Sequence, residues 1–421
     1  MFTFLLFCYI FSFYILVFPA SILIAVPLFL CVCVNKAWLF SFLRIWGTKF
    51  IRRAFIFQIF IIGFSGIFPV IYRTADFSFM KLMITQLVHF VCAVFFFTYI
   101  DVKNVSFDKV VKSFILIFVI QTFIELVATS FPSSIGKFVR LFNHFDPESV
   151  IGLGDRVRGY ALSAATTYHL SLVYGVAFIL YIKTLVESKK IKFRQLITGL
   201  LIVVGVFFAG RTGFVGIGIG CIYFLISLKV KTRNKFSAIA KLLVSIAIII
   251  SLTLTVAPKK FKDMVVDYLI PYAFEFIYQK LDSGKAQTAS TNQLKEMWHR
   301  DFDERELIFG SGKYTTDDGR YYMHVDPGIL RHLLYGGILF YLLLVFYQMI
   351  ITFPLKKRTD YYIFILIFIY FLFMDFKGGT IGMNKFAFAS TLLLGFSYTR
   401  KEKIDFSKTV SYKRTNSFCS E

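Results

Sequence analysis

MFTFLLFCYIFSFYILVFPASILIAVPLFLCVCV, residues 1–34, contains no charged side chain. One transmembrane helix needs roughly 20 apolar residues. The run is therefore long for one span and sufficient for two short ones that bend at Phe18-Pro19-Ala20. It lacks a basic n-region and exceeds the length of a signal peptide, so cleavage is not expected. Similar runs recur at about 54–72, 79–100, 113–129, 160–182, 195–209, 213–228, 239–257, 327–353, 361–376 and 383–398. The expectation is an all-α polytopic membrane protein with about 12 transmembrane helices, or 11 if the first run is a single helix.

Composition agrees. Of 421 residues, 57% are hydrophobic and only 17% are charged, with a mean hydropathy of +0.68. Soluble domains carry about 25% charged residues. This excludes a soluble enzyme, a disordered chain and a secreted disulfide scaffold. The apolar runs are continuous rather than alternating, which excludes an outer-membrane barrel. Cys8, Cys31, Cys33, Cys92 and Cys221 lie in apolar runs and Cys419 in a polar tail, so no disulfide framework is implied.

The net charge of +22 is not a nucleic-acid signature. Its lysines and arginines lie in short tracts between apolar runs. The alternate loops 35–53, 101–112, 183–194, 229–241 and 354–360, with the tail from 399, carry 27 basic and seven acidic residues. By the positive-inside rule these loops, and both termini, are cytoplasmic. The chain then divides into helices 1–9 with an outer loop 130–158 (residues 1–257), a long external loop (258–326), helices 10–12 (327–398) and a cytoplasmic tail (399–421). The long loop holds 10 basic and 12 acidic residues. Within it, 264–278 is amphipathic enough to lie on the membrane surface. Its QLKEMWHRDFDE stretch predicts a short helix capped by Thr291 or Asn292.

Several short elements carry polar chemistry. Gly310-Ser311-Gly312-Lys313 lacks the spacing of a phosphate loop, and nucleotide binding is not expected. Arg211, in the tight turn of AGRTGFVGIGIG, is either a snorkelling anchor or an anion ligand, because a guanidinium can grip phosphate bidentately. Gly216 and Gly220 have the spacing of close helix packing. Arg156, Arg158 and His169 fall near an outer mouth; for His169 a helix–helix hydrogen bond is the structural alternative. Glu125 and His89 lie inside spans, where ionisable residues are functional candidates; for His89 a buried hydrogen bond is the simpler role. His324, Asp326, Arg331 and His332 gather where the tenth span begins, with Asp326 fitting an N-cap before Pro327 at the first helical position. No metal-ligand spacing is present, and no metal or other cofactor is expected.

Taken in order, four elements resemble the bacterial O-antigen polymerase (Wzy-type) family, within the wider O-antigen polymerase and ligase group. They are Arg158-Gly159-Tyr160 leading into a span, and Gly210-Arg211-Thr212-Gly213 at a tight turn. Next come Met297-Trp298 with Phe309-Gly310-Ser311-Gly312, and last the His324 to Arg331 stretch running into Tyr335-Gly336-Gly337-Ile338. The resemblance covers about 150–345. The Arg-x10-Gly pattern of some members is missing, and the His-Asn pair of ligases is His324-Val325 here.

The resemblance implies a glycosyltransferase of the bacterial inner membrane. It would join polyprenyl-diphosphate-linked oligosaccharide repeat units at the outer face, with a flippase and a chain-length regulator as partners and no nucleic acid. The leaving diphosphate needs charge stabilisation, assigned to Arg158, Arg211 and Arg331. The acceptor hydroxyl needs a base, His324 or Asp326. Trp298, Tyr314, Tyr321 and Tyr322 could present ring faces to sugars, or pack at the membrane interface. An O-antigen ligase and a glycolipid flippase or transporter are the alternatives; flippases usually lack so long an external loop.

Overall fold

The computed structural model describes residues 1–143, 161–164, 167–188, 191–227, 281, 289–354 and 360–400. It is almost entirely helical. In chain order the helices are α1 (Phe2–Phe11), α2 (Ala20–Val34), α3 (Lys36–Trp46), α4 (Lys49–Ile71), α5 (Ser78–Val102), α6 (Phe107–Ser130) and α7 (Lys137–Arg140). They continue as α8 (Tyr168–Glu187), α9 (Phe193–Ala209), α10 (Phe214–Ile226), α11 (Ala289–Trp298), α12 (Glu304–Phe309), α13 (Gly328–Thr352), α14 (Tyr362–Asp375) and α15 (385–400). One small antiparallel hairpin, β1 (Tyr14–Ile15) with β2 (Phe18–Pro19), joins α1 to α2.

Five helices, α4, α5, α6, α8 and α13, are long and apolar enough to cross a membrane, and a bent pair, α2 with α3, makes a sixth candidate. At 1.5 Å per residue, the 23 residues of α4 reach about 35 Å, more than a hydrocarbon core. The ten residues of α1 reach about 15 Å, which is half of one. The first 34 residues therefore do not form two spans. They make a half-length helix, a hairpin over the expected bend, and α2. The helices α9, α10, α14 and α15 match expected runs but are shorter than the five. The expected span 239–257 and the amphipathic stretch 264–278 lie outside the described residues.

Residues 35–53, expected as a basic loop, are mostly helix. Asn35 Oδ1 accepts the Ala37 N–H at 2.9 Å and starts α3, which turns 111° from α2. Trp38, Phe42 and Trp46 recur every four residues and pack on Tyr99, Phe95 and Phe55. Elsewhere Thr48 and Ser106 cap α4 and α6.

The core is aromatic with polar links. Phe64 and Phe68 of α4 meet Phe340 of α13. Gln58 donates to the Met83 carbonyl at 2.9 Å and accepts from the Tyr347 hydroxyl, joining α4, α5 and α13. His89 meets Ser21 at 3.3 Å, a partly buried hydrogen bond. Helix α8 is enclosed almost all round. Gly216 explains its own spacing: a Cβ there would lie 2.5 Å from Gly175 Cα, so α10 and α8 touch backbone to backbone.

Candidate functional site

One end of the bundle gathers the polar loops. The residues between α4 and α5 hold the segment that follows α12. Asp76 Oδ2 accepts the N–H groups of Tyr314 (2.5 Å) and Thr315 (2.7 Å), and Oδ1 accepts that of Ser78 (3.0 Å). Tyr72 donates to the Phe309 carbonyl and Thr74 to the Gly312 carbonyl. Burial alone would raise the Asp76 carboxyl; the bonds from Ser78, Thr315 and Tyr314 outweigh it and hold the group below the usual carboxylate range.

The Phe-Gly-x-Gly and Tyr-Gly-Gly elements meet each other. A Cβ on Gly310 would lie 2.5 Å from the Tyr335 carbonyl oxygen, and one on Gly337 would lie 2.2 Å from that of Ile308. Gly337 also has φ +75°, breaking the regular geometry of α13. Ser311 and Gly312 donate their N–H groups to the Leu334 and Tyr335 carbonyls. The glycines of 310–312 thus seat the loop on α13.

Two sequence details shift. Helix α11 already includes Ala289, so Thr291 and Asn292 lie inside it rather than capping it. The cap in this region belongs to α12, where Asp303 accepts the Arg305 N–H at 2.9 Å. Pro327, not Asp326, occupies the N-cap of α13. The Asp326 carboxylate turns instead toward Arg331, at 3.4 Å.

Arg331 is the buried cation of this face, at 8% exposure. Its Nε donates to the Val325 carbonyl at 2.9 Å, and its guanidinium lies 3.2 Å from the centre of the Tyr321 ring. Tyr321 is itself exposed. His324 is exposed on the same turn; Met323 and His324 both have positive φ, +53° and +52°. Two consecutive left-handed non-glycine residues cost of order 1–3 kcal/mol each. Tyr322 is partly exposed, with its hydroxyl 3.4 Å from Glu306.

The expected sugar-facing aromatics divide. Tyr321 and Tyr322 reach the surface. Trp298 is half-buried, tilted against Phe376 at 5.8 Å between ring centres and donating to its carbonyl at 3.2 Å. Tyr314 is core: it packs among Phe79, Tyr321 and Tyr335 at 6% exposure and offers no free face. His332 is fully buried, its Nε2 2.9 Å from the Ile381 carbonyl, and faces away from this surface.

Arg211 sits in a 3-10 turn whose shape is set by Ser171 of α8. The Ser171 hydroxyl donates to the Gly210 carbonyl at 2.5 Å and accepts the Gly213 N–H at 2.6 Å. Three residues earlier on α8, Tyr168 donates toward the Met374 and Gly378 carbonyls at 2.6 and 2.9 Å. Arg211 and Arg331 thus reach the same end of the bundle on different supports. Arg158, with Arg156, lies outside the described residues.

Two residues here went unread in the sequence. Asp375 is fully buried at the end of α14. Its Oδ1 accepts the N–H groups of Thr380 and Ile381 at 2.9 and 3.1 Å. Its Oδ2 has no hydrogen bond among the described residues; the Tyr341 hydroxyl lies near but outside bonding geometry. The charge of Arg331 is close enough to act on it. Gly328 rests on this carboxylate, which brings the start of α13 and the 376–384 turn together. Lys385, at the start of α15, is the second. An acid closing an apolar run and a lysine opening the next were the available signals. Among the described residues no group of three or more His, Cys, Asp or Glu is placed to hold a metal.

Set beside known protein families, curated proteins and solved structures, the chain matches none.

Proposed function

We propose that this chain is a surface-polysaccharide polymerase of the bacterial inner membrane, joining polyprenyl-diphosphate-linked oligosaccharide repeat units on the outer face. The observation that carries the reading is Arg331: a buried guanidinium over an exposed tyrosine ring, beside a carboxylate, under a long polar loop clamped to an otherwise apolar bundle. A diphosphate leaving group calls for cations in a low-dielectric setting, and a sugar calls for aromatic faces at the rim.

In this reading the basic connecting loops and the C-terminal tail are cytoplasmic, and the loop end faces outward, as the charge asymmetry requires. The diphosphate departs from the anomeric carbon of the growing glycan toward Arg331, assisted by Arg211 and Arg158. The acceptor hydroxyl of the incoming unit forms the new glycosidic bond, and its proton passes to His324 or Asp326. Tyr321, Tyr322 and Trp298 border the sugars; Tyr314, being core, supports Tyr321. Asp375 positions the 376–384 turn against α13.

The test is a deletion strain examined for surface polysaccharide. Loss of a polymerase leaves single repeat units still attached to the cell-surface acceptor. Loss of a ligase leaves no capped acceptor, and loss of a flippase traps the lipid-linked unit inside. A strain without caps, rescued as well by Arg331→Lys as by wild type, would sink the assignment.

A further inference from the structure

Lys385 opens α15 at the loop end of the bundle and is half-buried there. Its ammonium lies 5.7 Å from the Tyr14 ring and 5.6 Å from the Phe386 ring, and no carboxylate pairs with it among the described residues. Its charge acts on His89 of α5 and His169 of α8, and His169 also feels Arg331. His89 is held by Ser21, while His169 makes no hydrogen bond among the described residues. A cation in the first turn of a helix also opposes the positive end of the helix dipole. Among the described residues the ammonium thus has two ring faces and no counter-charge.

The neighbouring residue adds an independent observation. Asn384 is 1% exposed, and its Oδ1 accepts the N–H groups of Phe386 and Ala387 at 3.0 and 3.1 Å. With Oδ1 fixed by the cap, its Nδ2 is a buried donor with no acceptor. A buried donor without a partner costs roughly 1–3 kcal/mol. Asn384 Nδ2 and Lys385 Nζ, on adjacent residues at a helix N-terminus, both lack the same thing: an anionic oxygen.

We infer that Asn384 and Lys385 form a binding subsite for a phosphoryl group. The site stands on these contacts alone; naming its occupant as the diphosphate of a lipid-linked repeat unit rests on the function proposed above. One phosphoryl oxygen takes the Asn384 amide proton and another meets the lysine ammonium.

Full-length protein in nanodiscs tests this, with three probes: inorganic pyrophosphate, farnesyl diphosphate, and phosphatidylglycerol in the disc. Lys385→Met should weaken the bound probe by roughly tenfold or more, the loss of one charge-assisted hydrogen bond. Asn384→Asp keeps the helix cap but exchanges the donor for a carboxylate oxygen, and should abolish binding in a protein that still folds. Equal binding of pyrophosphate and farnesyl diphosphate supports the site with free phosphate as its occupant; preference for farnesyl diphosphate supports a lipid-linked diphosphate; retention of phosphatidylglycerol alone supports a headgroup. Failure of all three to bind wild type, or wild-type affinity in both variants, overturns the proposal. Binding is read on purified protein and polymerisation in cells, so failure of one reading is distinguishable from failure of the other.

Discussion

The two ends of the bundle treat their charges in opposite ways. At the end away from the loops, Asp101 and Lys183 are matched, while Arg53 meets only the Ile350 and Phe353 carbonyls. Asp101 receives Arg400 at 2.8 Å, Arg44 and the Ser41 hydroxyl. Lys183, nearly buried, is held by Glu187 at 2.7 Å and Asp360 at 3.6 Å. At the loop end, Arg331 has one carboxylate at the margin of bonding distance and a ring face, and Lys385 has only ring faces among the described residues. Burying charge is expensive, and in the function proposed above the less fully paired cations of the loop end are the ones left to meet the diphosphate. Pairing, more than the presence of charge, separates scaffold from site.

Breaking the matched end should have the largest effect. Asp101→Ala leaves Arg400 without its carboxylate, with each side chain only 11% exposed, and should cost about 3 kcal/mol, seen as a lower thermal midpoint in detergent. If stability is unchanged, the contrast between the ends is false. Next is the seam between loop and helix. Gly337→Ala forces a side chain into a left-handed conformation and into the Ile308 carbonyl, for about 2 kcal/mol and loss of the polysaccharide ladder. A ladder of normal length would mean the seam does not order the site.

Arg331→Lys should leave the thermal midpoint near wild type while slowing polymerisation roughly thirtyfold, about 2 kcal/mol, because a point charge cannot reproduce the planar fork. Equal activity would reduce Arg331 to an anchor. The smallest effect concerns Asp76. Its folded-state acidity is stronger than usual, so its stabilisation is complete above the ordinary aspartate value of about 3.9 and is lost as pH falls through the lower folded value. Hydrogen exchange at Tyr314 and Thr315 should accelerate in that acid range in wild type. In Asp76→Asn, about 1 kcal/mol weaker at the clamp, it should be fast at neutral pH as well.

Much of this was legible in the chain. Continuous apolar runs announce spans because nothing in a hydrocarbon core can satisfy exposed backbone except a helix. Glycine spacing announced backbone contact, and Gly216 against Gly175 delivered it. Other features were hidden for physical reasons. Helix α3 was masked because its charges at Lys36 and Arg44 read as a loop, while its aromatic stripe shows only at a period of four. Tyr314 looked like a surface aromatic because its neighbours are polar; its burial depends on Asp76, more than 200 residues earlier. Asp375 and Lys385 bracket a turn that a hydropathy reading treats as a gap between spans, and only the folded chain brings α8 and α13 to them.

The break at Gly337 also divides α13 mechanically. Residues 328–336 are bound to the loop through Leu334 and Tyr335, while the shaft beyond them packs on α4. Tyr335 also donates to the Ser65 carbonyl of α4 at 2.7 Å, so the turn that carries Arg331 is held by the loop and by α4 together. When bilayer thickness changes and the long helices tilt to follow it, Gly337 is the point at which the backbone of α13 already departs from helix, and the joint beside it is fastened to both loop and α4.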